Sequence, residues 1–174
     1  RSKVTLQAGT SLRADDKLND SSDGTISAIR DRVTLDRQTA TFRRNGSSEI
    51  QYDDEQAPFQ VSDRTGFTYA FAFDMPRRDA AFFDPVTRIS VPLRYDGDAS
   101  VEGAEAIRFV AEVPDTDLYE RHSGADTAGR PTVIVRPASW FGLPGTTPIA
   151  LHLHHRSTWE ISVDPDTGTI LDER

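Results

Sequence analysis

The sequence predicts a mainly β protein: an antiparallel curved sheet or sandwich with long connecting loops and at most short helices. Three observations carry this reading. No stretch of ten residues keeps its apolar side chains at helical spacing. Several runs instead alternate apolar and polar residues with a period of two, as half-buried strands do. Finally, an apolar-Asp-x-x-Thr pattern recurs at Leu35–Thr39, Phe83–Thr87 and Val163–Thr167, where strand runs need corners.

The 174 residues suit one domain spanning 1–174. A formal charge of -8 argues against a surface built for nucleic acid, which requires clustered Lys and Arg. No apolar run is long enough to span a membrane as a helix. The absence of cysteine removes thiol catalysis, Fe–S clusters and Cys-zinc sites. The chain begins at Arg1, which reads as a mature or excised fragment.

Taken in order, Val4, Leu6 and Ala8 alternate with polar residues and predict a first strand. Asp15–Gly24 holds too little apolar area to offset its ordering entropy and predicts a mobile loop. Thr25–Leu35 reads as a strand with Ile29, Val33 and Leu35 on one face, although Asp31 interrupts that face. Phe67–Phe73 (FTYAFAF) is the clearest strand signal, with four aromatic rings on one parity, stopped by Pro76. Ala80–Phe83 and Ile89–Tyr95 flank the Asp84-Pro85 corner, and Glu102-Gly103 turns the chain into Ala106–Val113.

Asp115–Pro131 is polar and reads as a surface connection, and Thr132–Arg136 as a short strand. Pro137–Pro148 holds three prolines and two glycines around Trp140, Phe141 and Leu143, which predicts an irregular loop carrying apolar side chains. In the final run, Ile149, Leu151, Leu153, Trp159, Ile161 and Val163 share one parity, with His152, His154, Arg156, Thr158 and Glu160 on the other. At the corners, Asp accepts backbone N–H groups and Gly168 supplies positive φ in the third copy. Ala40 and Arg88 stand at that position in the other two, which predicts a different turn geometry there.

Few residues suggest chemistry. His152 and His154 share a strand face and could start a zinc site, but a third ligand is needed and exposure on alternate positions explains the pair equally. Asp164–Gly168 superficially suggests a calcium loop, yet the chain ends before a bidentate Glu could appear. Ser139 and Ser157 lack any nucleophile-elbow signature, and no phosphate-binding glycine motif occurs, so no catalytic residue, metal or cofactor is expected. The aromatic residues of 67–73, with Phe82, Phe83, Phe109, Trp140, Phe141 and Trp159, either fill a core or line a surface that holds an acyl chain. Trp140, Phe141 and Leu143 are the candidate binding residues, because apolar side chains on a Pro/Gly loop mark contact with lipid or a protein partner; packing over an open sheet end is the other reading.

The order DRVTLDRQT, then TGFTYAFAFDMPRRDAAFFDPVTRISVPLRYDGDASVEGAEAIRFVAEVP, then STWEISVDPDTGTILDE resembles the actinobacterial DUF3068 proteins, some of which carry the label "PorA family". The resemblance covers about Thr25 to Arg174, most specifically in the middle block. It implies an extracytoplasmic domain held at the cell membrane between an N-terminal and a C-terminal transmembrane helix, neither present in this chain. The expected role is non-enzymatic: interaction with envelope lipid or a membrane protein partner, or a scaffolding ectodomain in a membrane complex.

Overall fold

The computed structural model describes residues 2–13, 25–52, 57–121 and 132–174. The loop expected over Asp15–Gly24 lies outside them, as do residues 122–131 of the expected polar connection. The fold is mainly β. Strands β1 (Lys3–Arg13), β2 (Thr25–Asp36), β3 (Ser48–Gln51) and β4 (Phe59–Gln60) form one antiparallel sheet in that order. A second antiparallel sheet joins β5 (Ala80–Asp84), β6 (Ile89–Val101), β7 (Ala104–Asp117), β10 (His154–Val163) and β11 (Ile170–Glu173), in spatial order β11-β10-β7-β6-β5. Among the described residues, strands β8 (Val133–Pro137) and β9 (Pro148–His152) pair only with each other. One helical turn, α1 (Leu118–Arg121), follows β7.

β5 links the two larger sheets because adjacent side chains on a strand point to opposite faces. Phe82 enters the core of the five-stranded sheet beside Leu93, Ile107, Phe109, Ile161 and Val163. Phe83 faces the other way and packs with Ile29, Ile50 and Val61. A buried ion pair crosses the same junction: Arg64 Nη2 donates to Asp31 Oδ1 at 2.6 Å, and both side chains are almost fully enclosed. Tyr69 donates its hydroxyl to Asp31 Oδ2 at 2.9 Å, and the Arg64 guanidinium sits 4.3 Å from the Phe83 ring centroid. Burial first, and then the Asp31 charge, push the Tyr69 phenol far above its ordinary range, so it stays a donor at any physiological pH.

Phe67–Phe73 is not a strand, contrary to its alternation. Only Phe67 makes a bridge, parallel to Phe82, through Phe67 N–H to Ala81 O and Phe83 N–H to Phe67 O, both 2.8 Å. Further on, the backbone turns to separate partners: Phe73 N–H to Gln38 O at 2.8 Å, Asp74 N–H to Asp166 O at 3.0 Å and Met75 N–H to Pro165 O at 2.8 Å. The segment thus crosses the corners instead of lying along a neighbour. Its rings divide accordingly: Phe71 is buried and stacks on Phe67 and Phe109 at 5.0 and 6.0 Å, while Phe73 is half exposed.

The three Asp-Thr corners share one geometry, which corrects the expectation for the first two. Ala40, Arg88 and Gly168 have φ of 50°, 56° and 67°. Each donates its N–H to the carbonyl of its corner Asp, at 2.9, 2.9 and 3.0 Å. The Asp carboxylates collect the Thr39, Thr87 and Thr167 amides at 3.1, 2.6 and 2.8 Å. The caging bonds offset a left-handed conformation at Ala40 and Arg88 that costs a non-glycine residue about 1–2 kcal/mol. Gly168 is required for a second reason: a Cβ there would lie 2.3 Å from Phe71 O.

Pairing across Glu102-Gly103, both with positive φ, closes the expected β6–β7 hairpin. The long run Ile149–Val163 is two strands in two sheets. It breaks at Leu153, whose N–H bonds Thr132 O at 2.8 Å and whose carbonyl accepts Leu118 N–H at 2.9 Å. Strands β3, β4 and β11 are too short to carry a readable period.

Replacing Arg64 by Ala leaves a buried carboxylate with one partner and is expected to cost about 3–5 kcal/mol in urea unfolding, whereas Arg64→Leu with Asp31→Leu recovers most of that loss. Phe71→Ala is expected to cost about 3–5 kcal/mol, and a loss below about 1 kcal/mol would place the ring outside the core.

The first corner is acid-sensitive. The Thr39 and Gln38 amides, then the Arg43 guanidinium, hold the Asp36 carboxyl down from 3.8 to about 2. A depressed value stabilises the fold above the ordinary carboxylate range, and the contribution disappears as pH falls from about 4 through about 2. A carboxyl carbon titration by NMR should place the Asp36 midpoint near 2, and Asp36→Asn should remove that part of the acid dependence.

Candidate functional site

The expected contact residues sit at the tip of the β8–β9 ribbon. The loop is not wholly irregular, because Ala138–Phe141 forms a single 3-10 turn, and Pro137 and Pro148 pair at its base. Backbone bonds close it: Ala138 N–H to Thr147 O at 2.9 Å, Ser139 N–H to Gly145 O at 3.1 Å and Leu143 N–H to Ala138 O at 3.2 Å. Gly142 supplies the left-handed residue, at φ 73°, that ends the turn. Trp140 and Phe141 are partly exposed and Leu143 is 52% exposed. The Arg136 guanidinium lies 5.3 Å from the centroid of the Trp140 ring.

The ribbon itself extends the apolar surface. Cross-strand partners share a face, so Val135 and Ala150 stand on one side and Ile134 and Leu151 on the other. None of the residues in β8 or β9 is buried, and Val135 and Leu151 are exposed. From Thr132 to Leu153 the sequence holds one arginine, one histidine and no carboxylate, in a chain with 28% charged residues. That local loss of charge, more than the aromatic pair, was the signal available in the sequence. Both faces of this two-stranded ribbon meet solvent with apolar side chains, an arrangement that contributes little stability by itself.

A polar clasp holds the root of the ribbon. Asp117 Oδ1 accepts the Tyr119 and Glu120 amides of α1 at 2.8 and 3.2 Å, while its Oδ2 meets His152 Nδ1 at 2.9 Å. The His152 hydrogen bond is the main cause that lowers the Asp117 pKa. Tyr119 stacks on the His152 ring at 4.2 Å. His154 contacts Asp115 at 3.1 Å and Asp117 at 3.6 Å. The two histidines do face one region, each against aspartate, and no group of three or more His, Asp or Glu able to hold a metal ion occurs among the described residues.

The serine positions assemble no relay. His155 Nε2 lies 3.2 Å from Ser157 Oγ and 3.8 Å from Asp84 Oδ1, so serine and aspartate address the same ring nitrogen. A nucleophilic triad needs them on opposite nitrogens. Asp164 holds its own corner through the Thr167 backbone amide and hydroxyl and the Asp166 amide. Most of the aromatic residues considered for an acyl surface are committed to packing, with Phe71, Phe82 and Phe109 in the core of the five-stranded sheet.

The comparisons with known proteins agree with the resemblance carried by the aromatic block and the corners. Porin PorA of Corynebacterium amycolatum is 24% identical over 184 residues, an alignment covering 97% of this chain and 47% of that protein. The chain therefore spans about half the length of this curated relative. The family described as Porin PorA matches from residue 1 to residue 174, and by that match the chain belongs to the Porin PorA family.

Proposed function

We propose that this chain is a non-enzymatic interaction domain on the extracytoplasmic side of the cell membrane, which meets envelope lipid through the β8–β9 ribbon and its tip. One observation carries the reading: a projecting ribbon, apolar on both faces and free of carboxylates, in an acidic protein. A lipid surface suits it better than water because Val135, Leu143 and Leu151 gain by leaving solvent. Trp140 beneath Arg136 matches the side-chain pairing favoured at a bilayer interface, with the ring at headgroup depth and the cation toward phosphate. Membrane tethering beside the ribbon would present it to lipid at high effective concentration.

The name of the relative raises a pore as a further possibility. Against a pore wall built from the five-stranded sheet stands the ionic face of β6 and β7, where Arg94 meets Glu112 at 2.6 Å and Arg108 meets Asp96 at 2.7 Å. Charges in that position suit a water-facing sheet and not a lipid-facing band. The alternative of a scaffolding ectodomain in a membrane complex would use the same ribbon against a protein.

Sedimentation with phospholipid vesicles tests the reading. The protein should pellet with vesicles, and Trp140→Ser with Phe141→Ser should abolish this while the melting temperature moves by no more than about 2–4 °C. Leu143→Ser, at an exposed position, should weaken pelleting with stability unchanged within about 0.5 kcal/mol. An unmodified protein that ignores vesicles would overturn the lipid reading in favour of scaffolding. A double variant that unfolds would assign the aromatic pair to packing.

A further inference from the structure

Between the two larger sheets, away from the ribbon tip, lies a cleft of about 230 Å³. Its deep wall is formed by Ile29 and Leu118, both nearly inaccessible, with the partly buried Trp159. Val86 from the second corner, Leu153 from the β9–β10 joint and the partly buried Tyr52 complete the wall. Leu12, 55% exposed, and His154, 54% exposed, stand at its rim with Thr10 and Ser11. The cleft is thus graded, apolar inside and mixed at the mouth.

We infer that this cleft binds one acyl chain of an amphiphile with an uncharged, hydroxyl-bearing head. The lining selects the chain: an apolar cavity of about 150 Å³ accommodates a six-carbon ring, so the cleft matches roughly nine carbons, with the remainder of a longer chain emerging at the rim. The rim selects the head. His154 at the rim is held from outside the lining by Asp115 at 3.1 Å and by Asp117 at 3.6 Å. These carboxylates repel an anionic head, while the His154 and His155 imidazoles, Thr10 and Ser11 offer hydrogen bonds to hydroxyl and ester oxygens. The site is independent of the ribbon, since no residue of the tip lines it.

Trp159 is its built-in reporter. The chain has two tryptophans, and Trp140→Phe leaves Trp159 as the sole indole emitter. Titrating that variant with 1-monodecanoylglycerol below its aggregation concentration should shift the emission saturably, and the unmodified protein should melt at higher temperature with the same ligand. Decanoate should bind at least about tenfold more weakly. Leu12→Asp, at an exposed rim position, should abolish the response without lowering the melting temperature, and Val86→Phe should abolish it by filling the cleft. No saturable shift, equal affinity for decanoate, or a response that survives both substitutions in folded protein would overturn the inference. Uptake is measured without a bilayer, so its failure leaves the ribbon reading standing, and failed vesicle binding leaves this one standing.

Discussion

The arrangement of the two larger sheets depends on the buried contact of Asp31, Arg64, Tyr69 and Phe83. Asp31 belongs to the four-stranded sheet, Phe83 to the five-stranded one, and Arg64 and Tyr69 to the segment between them. Removing both charges from water is costly, so the pair is not a source of large net stability. Its effect is on geometry. Among the described residues Arg64 Nε and Nη1 have no hydrogen-bond partner and the guanidinium instead lies over an aromatic face, so a displaced sheet would leave an enclosed charge poorly compensated. The hydrophobic contacts of Phe83 with Ile29, Ile50 and Val61 could tolerate a small slide; the ion pair fixes the position.

The corners extend the same constraint. Each is closed by its own aspartate, and the aromatic segment is then bonded to the first through Gln38 and to the third through Pro165 and Asp166. Because Gly168 lets that backbone approach so closely, the third corner is both a turn and a support for Phe71. A segment that meets a strand only at Phe67 thereby anchors its far end through tertiary backbone contacts.

Strands with a polar and an apolar face were legible in the sequence, as were the corners, the Glu102-Gly103 hairpin and the family resemblance. Phe67–Phe73 was not, because side-chain alternation reports which residues pack and not what the backbone bonds to. Similarly, parity across 149–163 could not reveal the break at Leu153, where Thr132 and Leu118 intervene from elsewhere in the chain. Asp31 was visible as an interruption of an apolar face, but its partners are 33 and 38 residues away. The ribbon tip was identifiable from Trp140, Phe141 and Leu143; the cleft was not, because Ile29, Val86, Leu118 and Trp159 meet only in the folded chain.

The joint at Leu153 gives the ribbon the mechanics of a lever with almost no slack. One residue separates β9 from β10, and both of its backbone polar groups are bonded, to Thr132 and to Leu118. The ribbon therefore cannot swing at its root without straining or breaking one of those bonds. A load applied at the tip passes first into α1 and the start of β10, the elements that carry Leu118 and His154. The ribbon is thus held in one attitude to the sheet, so that what its tip can touch is set by the orientation of the whole domain and not by a hinge.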